Sequence, residues 1–372
     1  MRSKFRLGDL CEFHRGASVP RARMSADGDL IYIHYGDLYK GFSIKIDVEN
    51  PQKSLPFISK QEPIKQHQWL EDQDIVYVLT SETVEDLGHS FLFNNPEQRP
   101  AVAGTETTIV RIVRRDLLLP AYLNYVMHSP RFCALLRQYV KGMKVFRVHP
   151  DDVARIEIEA PSLMDQQAVV DTLDALYEKE MLNNRLNDYL ATIAEGVFED
   201  WLLTAEGEPT VIDTATEKLP SRARRKVEDG DVIYSTVRPN QLHYGLVCNP
   251  PSNMLVSTGF TVARDSVGVG GPFIYLALTR PSITAKLQSV AEQSTSAYPS
   301  IKSSDLEQLE IPMPTKDEIE EIKPQLDSLF AAIAHNEYES KMLEELRDTL
   351  LPKLMSGEID VSQIELPMQP NN

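Results

Sequence analysis

The sequence predicts an α+β protein built as a tandem repeat, in which two similar domains are separated by two long helices, each carrying one apolar stripe. Three observations carry this expectation. A shift of 153 positions, which lays Asp165 on Glu318, superimposes Val153 on Leu306, Ile156 on Leu309, Ile158 on Ile311, Leu173 on Leu326, Leu190 on Leu343, Val197 on Leu350 and Trp201 on Leu354. Self-similarity at one fixed offset marks a duplicated unit. Each copy then opens a helix with the same signal. Ser162-x-x-Asp165 and Thr315-x-x-Glu318 place a hydroxyl at the cap and a carboxylate three residues on, directly after a proline. Finally, apolar residues recur every three or four positions from Val169 to Trp201 and from Ile322 to Leu354. One apolar stripe on a polar helix needs a second helix to cover it.

Taken in order, Leu7–Leu10 and Arg15-Gly16 read as a short strand or helix entering a punctuated loop. Leu30–Ile33, Ile75–Val78 and Thr107–Ile112 have the apolar, β-branched character of strands, and Leu118–Tyr139 carries Tyr122, Val126, Phe132 and Leu136 on one helical face. The second domain answers the first: Glu228–Tyr234 matches Glu71–Tyr77, Thr258–Arg264 matches Thr105–Arg111, and Ser300–Lys302 matches Arg147–His149. It is also shortened. Trp201 to Asp231 is 30 positions where Met1 to Asp74 is 73, so nothing evident answers Leu7–Asp37. The expected boundaries are a first domain at 1–160, a helix at 161–204, the shortened domain at 205–312, a second helix at 313–361 and a tail at 362–372. Each helix would extend roughly 60 Å, and Pro324 is expected to kink or break the second near its start.

Of 372 residues, 42% are hydrophobic and 25% charged, an ordinary globular composition. No run of eighteen apolar residues predicts a membrane span, and three scattered cysteines without a CxxC predict neither a disulfide framework nor a zinc site; a reducing cytoplasm is the expected compartment. The net charge of −17 lies mostly on the helices, since residues 162–203 and 315–361 carry −7 each. The remainder is nearly balanced, and its cations cluster. No carboxylate falls between Asp116 and Asp151, where Arg131, Arg137, Lys141, Lys144 and Arg147 lie, and Lys218, Arg222, Arg224, Arg225 and Lys226 form a second group. Such patches can meet phosphates even on an acidic chain.

The chain resembles the specificity subunit of a Type I restriction-modification system. The resemblance rests on the opening Lys4–Leu10, the helix starts after Pro161 and Pro314, the strand and turn Gly230–Pro239, the closing Leu350–Ile359, and their duplication in this order. It implies that the two domains are target-recognition domains reading a split sequence in double-stranded DNA, one half per domain, with the two helices pairing as an antiparallel coiled coil that sets the gap. It further implies a non-catalytic subunit without cofactor that docks methyltransferase subunits, two of them, and a restriction translocase. The abbreviated second domain leaves open a degenerate member that binds methyltransferase subunits without reading a full bipartite site.

Residues for DNA contact are chosen as polar or cationic groups on loops near strand ends. Thr80, Ser81 and His89 in the first domain, and Arg238, Asn240 and Gln241 in the second, follow matching strands and can reach base edges. Lys141, Lys144, Arg147 and His149, answered by Tyr298 and Lys302, form a second loop in each, and Arg222 and Arg224 are added as phosphate contacts. Catalytic motifs are incomplete. Asn249–Ser252 resembles the Asn-Pro-Pro-aromatic motif of amino-methyltransferases but lacks the aromatic, and Asp151, Glu157 and Glu159 lack the lysine of a metal-dependent nuclease. The eight histidines show no ligand spacing, so no metal site is expected.

Overall fold

The computed structural model describes residues 2–39, 41–204, 209–211, 225–293 and 299–360. Contacts divide the chain into two compact units, Met1–Glu178 with Leu343–Asn372, and Lys179–Met342.

The first unit begins with β1 (Ser3–Arg6), α1 (Leu7–Leu10), β2 (Cys11–Arg15), β3 (Leu30–Ile33), α2 (Tyr35–Leu38), β4 (Lys45–Asp47) and β5 (Phe57–Ile58). It continues through β6 (Ile75–Val78), β7 (Thr80–Ser81), β8 (His89–Asn94), β9 (Ala101–Ala103), β10 (Thr107–Ile112), α3 (Pro120–His128) and α4 (Pro130–Arg137). It closes with β11 (Phe146–Arg147), α5 (Pro150–Val153) and β12 (Glu157–Ala160). The main sheet has the order β2-β10-β6-β8-β4, and a second sheet has the order β5-β3-β9. Ile75, Val76, Tyr77 and Val78 are wholly buried, which is why β6 reads as an unbroken apolar run: both its faces are covered. The helical stretch predicted over Leu118–Tyr139 is two helices. Pro130 cannot continue α3, and Ser129 instead caps α4 by accepting from the Phe132 amide at 3.3 Å. At the end of α3, partly buried His128 donates from Nε2 to the Ser90 carbonyl at 2.7 Å.

α6 (Leu163–Thr204) follows, and the second unit then takes up β13 (Pro209–Val211), β14 (Arg225–Lys226), β15 (Val232–Ser235), β16 (Tyr244–Leu246), β17 (Leu255–Val256) and β18 (Phe260–Ala263). After them come α7 (Gly271–Thr279), α8 (Pro281–Glu292), α9 (Ser303–Glu307), β19 (Glu310–Pro312) and α10 (Lys316–Ser356). Its sheet β16-β15-β18 retains the middle of the first unit's sheet, with β18 and β15 standing for β10 and β6. β13 pairs with β19 as β1 pairs with β12, so the opening strand of the first unit does have a counterpart.

One charged pair recurs at the root of both sheets. Arg111 forks onto Asp74, donating to Oδ1 at 2.9 Å and Oδ2 at 2.6 Å, and Arg264 forks onto Asp231 at 2.8 and 2.7 Å. The same carboxylates accept from the amides of Glu71 and Glu228 at 2.8 and 2.7 Å. The turn before each is left-handed, at Gln73 with φ 68° and Gly230 with φ 82°.

The long helices start as expected. Ser162 Oγ accepts from the Asp165 amide, and Thr315 and Glu318 form a reciprocal capping box. The expected break at Pro324 does not occur; α10 runs unbroken, because Ile322 and Leu326 on either side are buried and their packing offsets the missing hydrogen bond. Within the second unit the helices run antiparallel, with Trp201 donating to Glu318 at one end and Lys179 paired to Glu339 at 2.8 Å at the other. Asparagines lie between them. Asn183 donates to Glu339 at 2.8 Å, Asn336 to Asn187 at 2.8 Å, and Asn187 to the Ile333 carbonyl at 3.3 Å. Asn183 and Asn336 are 153 positions apart, so the pin is part of the repeat. Buried amides that must find each other fix helix register. Within the first unit, Asp174 of α6 accepts from Tyr125 at 2.6 Å and from Lys45 at 2.8 Å, and Arg2 reaches the Leu354 and Met355 carbonyls of α10.

Two outcomes are expected. Asp74→Ala leaves Arg111, whose side chain is 18% exposed, with the exposed Glu71 carboxylate at 2.7 Å as its remaining ion-pair partner and costs about 3 kcal/mol. Asp231→Ala costs less, since Arg264 is 43% exposed and hydrates; urea denaturation of the two variants measures the difference. Burial lowers the His128 imidazole to about 4 from its ordinary 6.5. Between those values the unfolded chain takes up a proton that the folded chain refuses, so stability falls by about 3 kcal/mol as pH drops from 6.5 to 4. His128→Gln removes that slope in pH-dependent unfolding curves.

Candidate nucleic-acid interface

In the first unit the two predicted loops are brought together by a strand pair. β7 and β11 lie antiparallel, Ser81 opposite Phe146 and Thr80 opposite Arg147, and Lys141 bridges back to Arg147. The Val148 amide donates to the Leu79 carbonyl at 3.1 Å, locking the strip to the end of β6. Seventy positions of sequence thus close on one another, and neither loop announces this by itself.

The cations there are not equally available. Arg147 pairs with Glu106 at 3.5 Å, and Glu106 also accepts from the Thr80 hydroxyl at 2.6 Å. Lys141 pairs with Asp152 at 3.3 Å, with its own side chain largely exposed. Lys144 is exposed, in a tight loop where Gly142 takes φ 123° and Met143 stands 93% in solvent. Only glycine fits at 142, where an added Cβ would fall 2.1 Å from the Val145 carbonyl. His149 directly precedes α5, and its Nε2 lies 2.8 Å from Arg15 Nη2. His89 is placed differently from the rest. Its ring is half-buried, 5.4 Å from Tyr39 and 6.4 Å from Phe91, and burial holds its pKa below the ordinary range, so it is a neutral packing surface at neutral pH. Tyr39 in turn donates to the Thr80 carbonyl at 2.8 Å, steadying β7 from below.

The second unit repeats the closure with other residues. Val237 bridges to Ser300, the Arg238 amide donates to the Pro299 carbonyl at 2.9 Å, and the Ile301 amide donates to Thr236 at 2.8 Å, the counterpart of Val148 on Leu79. Arg238, Asn240 and Gln241 ride on the short 3₁₀ turn Pro239–Gln241, with Asn240 and Gln241 exposed and the Asn240 amide donating to Gln288 at 3.2 Å. Arg238 takes φ 50° and Leu242 φ 55°, left-handed conformations that cost a residue with a Cβ roughly 1–2 kcal/mol each. Exposed Lys302 precedes α9, its amide donating to Asp305. Arg222, Arg224 and Tyr298 lie outside the described residues.

The groups weighed for catalysis are occupied structurally. Glu157 and Glu159 on β12 face Arg6 and Lys4 across the strand pair, with Arg131 also 3.2 Å from Glu159. Asn249 is a turn residue at φ 46° whose amide donates to Asp229. The glycine loop before α7 wraps a carboxylate of its own chain: burial would raise the Asp265 pKa, but the amides of residues 267–270 outweigh it and hold the group below the usual range. Among the described residues no cluster of His, Cys, Asp or Glu is arranged to hold a metal ion.

The sequence reading missed Arg15, Glu106 and Tyr39, which complete the first patch. Arg15 carried a signal in hindsight, a cation at a strand end directly before a glycine. Arg238→Gly relieves the left-handed strain and leaves stability unchanged or raised by about 1 kcal/mol, while removing whatever the guanidinium contributes to DNA selectivity. Thermal melting alongside selection of bound duplexes measures both effects.

The chain matches the family model described as Type I restriction modification DNA specificity domain over residues 3–191, just over half its length. It is 28% identical over 133 residues to the Type I restriction enzyme HindI specificity subunit of Haemophilus influenzae, an alignment covering 36% of this chain and 29% of that subunit. The crystal structure of the Type-I restriction-modification system S subunit from M. genitalium superimposes with a TM-score of 0.58 at 13% identity, covering 95% of this chain and 96% of that one.

Proposed function

The chain belongs to the family of Type I restriction-modification DNA specificity domains, and from that premise we propose that it is the non-catalytic subunit that reads a bipartite DNA target and scaffolds the methyltransferase and restriction subunits. The observation that carries the reading is the duplicated loop pair: β7 with β11, and Val237 with Ser300, place polar and cationic side chains at the same point of each unit. Phosphate contacts from Lys141, Lys144, Arg147 and Lys302 position the duplex, while Thr80, Ser81, Arg238, Asn240 and Gln241 reach base edges. The asparagine-pinned pairing of α6 with α10 sets the gap between half-sites, since a helix pair that cannot slip keeps a constant length.

The same helices supply the docking surface. Leu182, Leu186, Tyr189 and Ile193 of α6 recur at helical spacing and stand 54, 45, 72 and 43% exposed, an apolar stripe left uncovered by its own unit. Tyr189 and Ile193 correspond to exposed Met342 and Leu346 in the repeat, which supports two methyltransferase subunits, one for each copy. No described helix is long and apolar enough to cross a membrane, and the proposed site of action is the cytoplasm.

A second reading, a degenerate member that scaffolds without reading both halves, is favoured by one observation: among the described residues a three-stranded sheet stands where the first unit has five strands. Co-expression with the methyltransferase subunit and sequencing of methylated adenines in the host genome decides between them. A motif with two constant halves separated by a fixed gap is the expected result; a one-sided motif would leave the second unit as scaffold. Tyr189→Glu is expected to weaken assembly with the methyltransferase subunit about 30-fold, read by titration of the purified subunits, without changing helix content.

A further inference from the structure

We propose that Arg15 is a base-reading residue of the first unit, directed at a guanine of the half-site, and that His149 positions it; the assignment rests on the DNA-reading function above. Arg15 is the last residue of β2, held opposite Thr108 in the main sheet. The chain beyond it cannot shift. The Gly16 amide donates to the Thr107 carbonyl at 3.0 Å, the Ala17 amide to Ala103 at 2.7 Å, and a Cβ at Gly16 would lie 2.1 Å from the Gly104 carbonyl. The side chain therefore leaves from a backbone that is fixed on both sides.

Its partner leaves the charge intact. A guanidinium has only donors, so in the contact of 2.8 Å between Arg15 Nη2 and His149 Nε2 the imidazole nitrogen is the acceptor. The ring proton then belongs on Nδ1, which lies 3.3 Å from Asp151 Oδ2; the Asp151 amide, also 3.3 Å from Nδ1, gives up that bond in this tautomer. His149 thus orients Arg15 as a neutral ring, itself oriented by a carboxylate one step further away.

The other cations of the patch differ. Arg147 faces Glu106 and Lys141 faces Asp152, whereas among the described residues no carboxylate pairs with Arg15. One Nη2 hydrogen is used, and the parallel pair of N–H groups that matches guanine O6 and N7 remains. A cation serving only a phosphate needs no such orientation, which is why the base edge is the favoured target. The contact with His149, two residues beyond Arg147, ties Arg15 to the strip where Thr80, Arg147 and Glu106 are joined and where the remaining candidate contacts lie. The second unit has no equivalent, because β2 has no strand answering it among the described residues.

The test is the methylated motif of cells co-expressing the methyltransferase subunit with each variant of the full chain. Arg15→Ala is expected to lose about ten-fold or more of the preference for guanine at one position of one half, with the other half unchanged. His149→Leu should loosen the same position, and His149→Gln, which keeps an acceptor, should restore it. A uniform fall in methylation with the motif intact would show Arg15 to be a phosphate contact and overturn the assignment, as would an unchanged motif at wild-type levels. If the unmodified chain yields no motif at all, the DNA-reading function itself fails, and that result is visible before any variant is compared.

Discussion

A carboxylate almost out of contact with water, clamped by a guanidinium fork, stands at the start of the central strand in both units. Asp74 with Arg111 and Asp231 with Arg264 each join two neighbouring strands, and each accepts the amide that closes the preceding turn. The burial is costly unless both oxygens are satisfied, and here they are. Everything beyond the far end of that strand inherits its position. The loops after Val78 and after Ser235 emerge there, and the strips Thr80–Arg147 and Val237–Ser300 close upon them. A rigid sheet holds the loops at its end in fixed positions, so their side chains can change without moving the strands.

The second constraint is polar matter in an apolar seam. Leucines alone would let two long helices slide by a turn at little cost, since one apolar stripe resembles itself after each repeat. Asn183, Asn187 and Asn336 remove that freedom, because a shifted register would strand their amides away from water. The duplication places an asparagine at the same point of each helix, Asn183 and Asn336, although their partners, Glu339 and Asn187, differ. Register is thereby retained at some cost in stability.

Charge is distributed to match. The acidic excess sits on the helices, and the first unit's strip gathers Arg15, Lys141, Lys144 and Arg147 with only partial neutralisation by Glu106 and Asp152. Overall net charge is therefore a poor guide to what this protein touches. Local pairing decides it: a cation already held by a carboxylate must lose that partner to meet a phosphate, while one held by a neutral imidazole need not.

Much of the architecture was legible in the order of residues. The repeat, the capped helix starts and the buried strands all follow from periodicity and spacing, which are local properties of the chain. Pro324 was misread because propensity is local too, and the burial of Ile322 and Leu326 that overrides it is not. The candidate site was half legible. Its loops could be chosen as polar segments after strands, but the closure of Thr80 on Arg147, the withdrawal of His89 into an aromatic stack and the pairing of Arg15 with His149 join residues up to 134 positions apart. The sequence by itself determined which segments are strands, helices and loops, since those depend on neighbours three or four residues away. Only the tertiary structure decided which loops meet and which cations remain unpaired, because distance in space between distant residues is set by the packed sheet and not by any single segment.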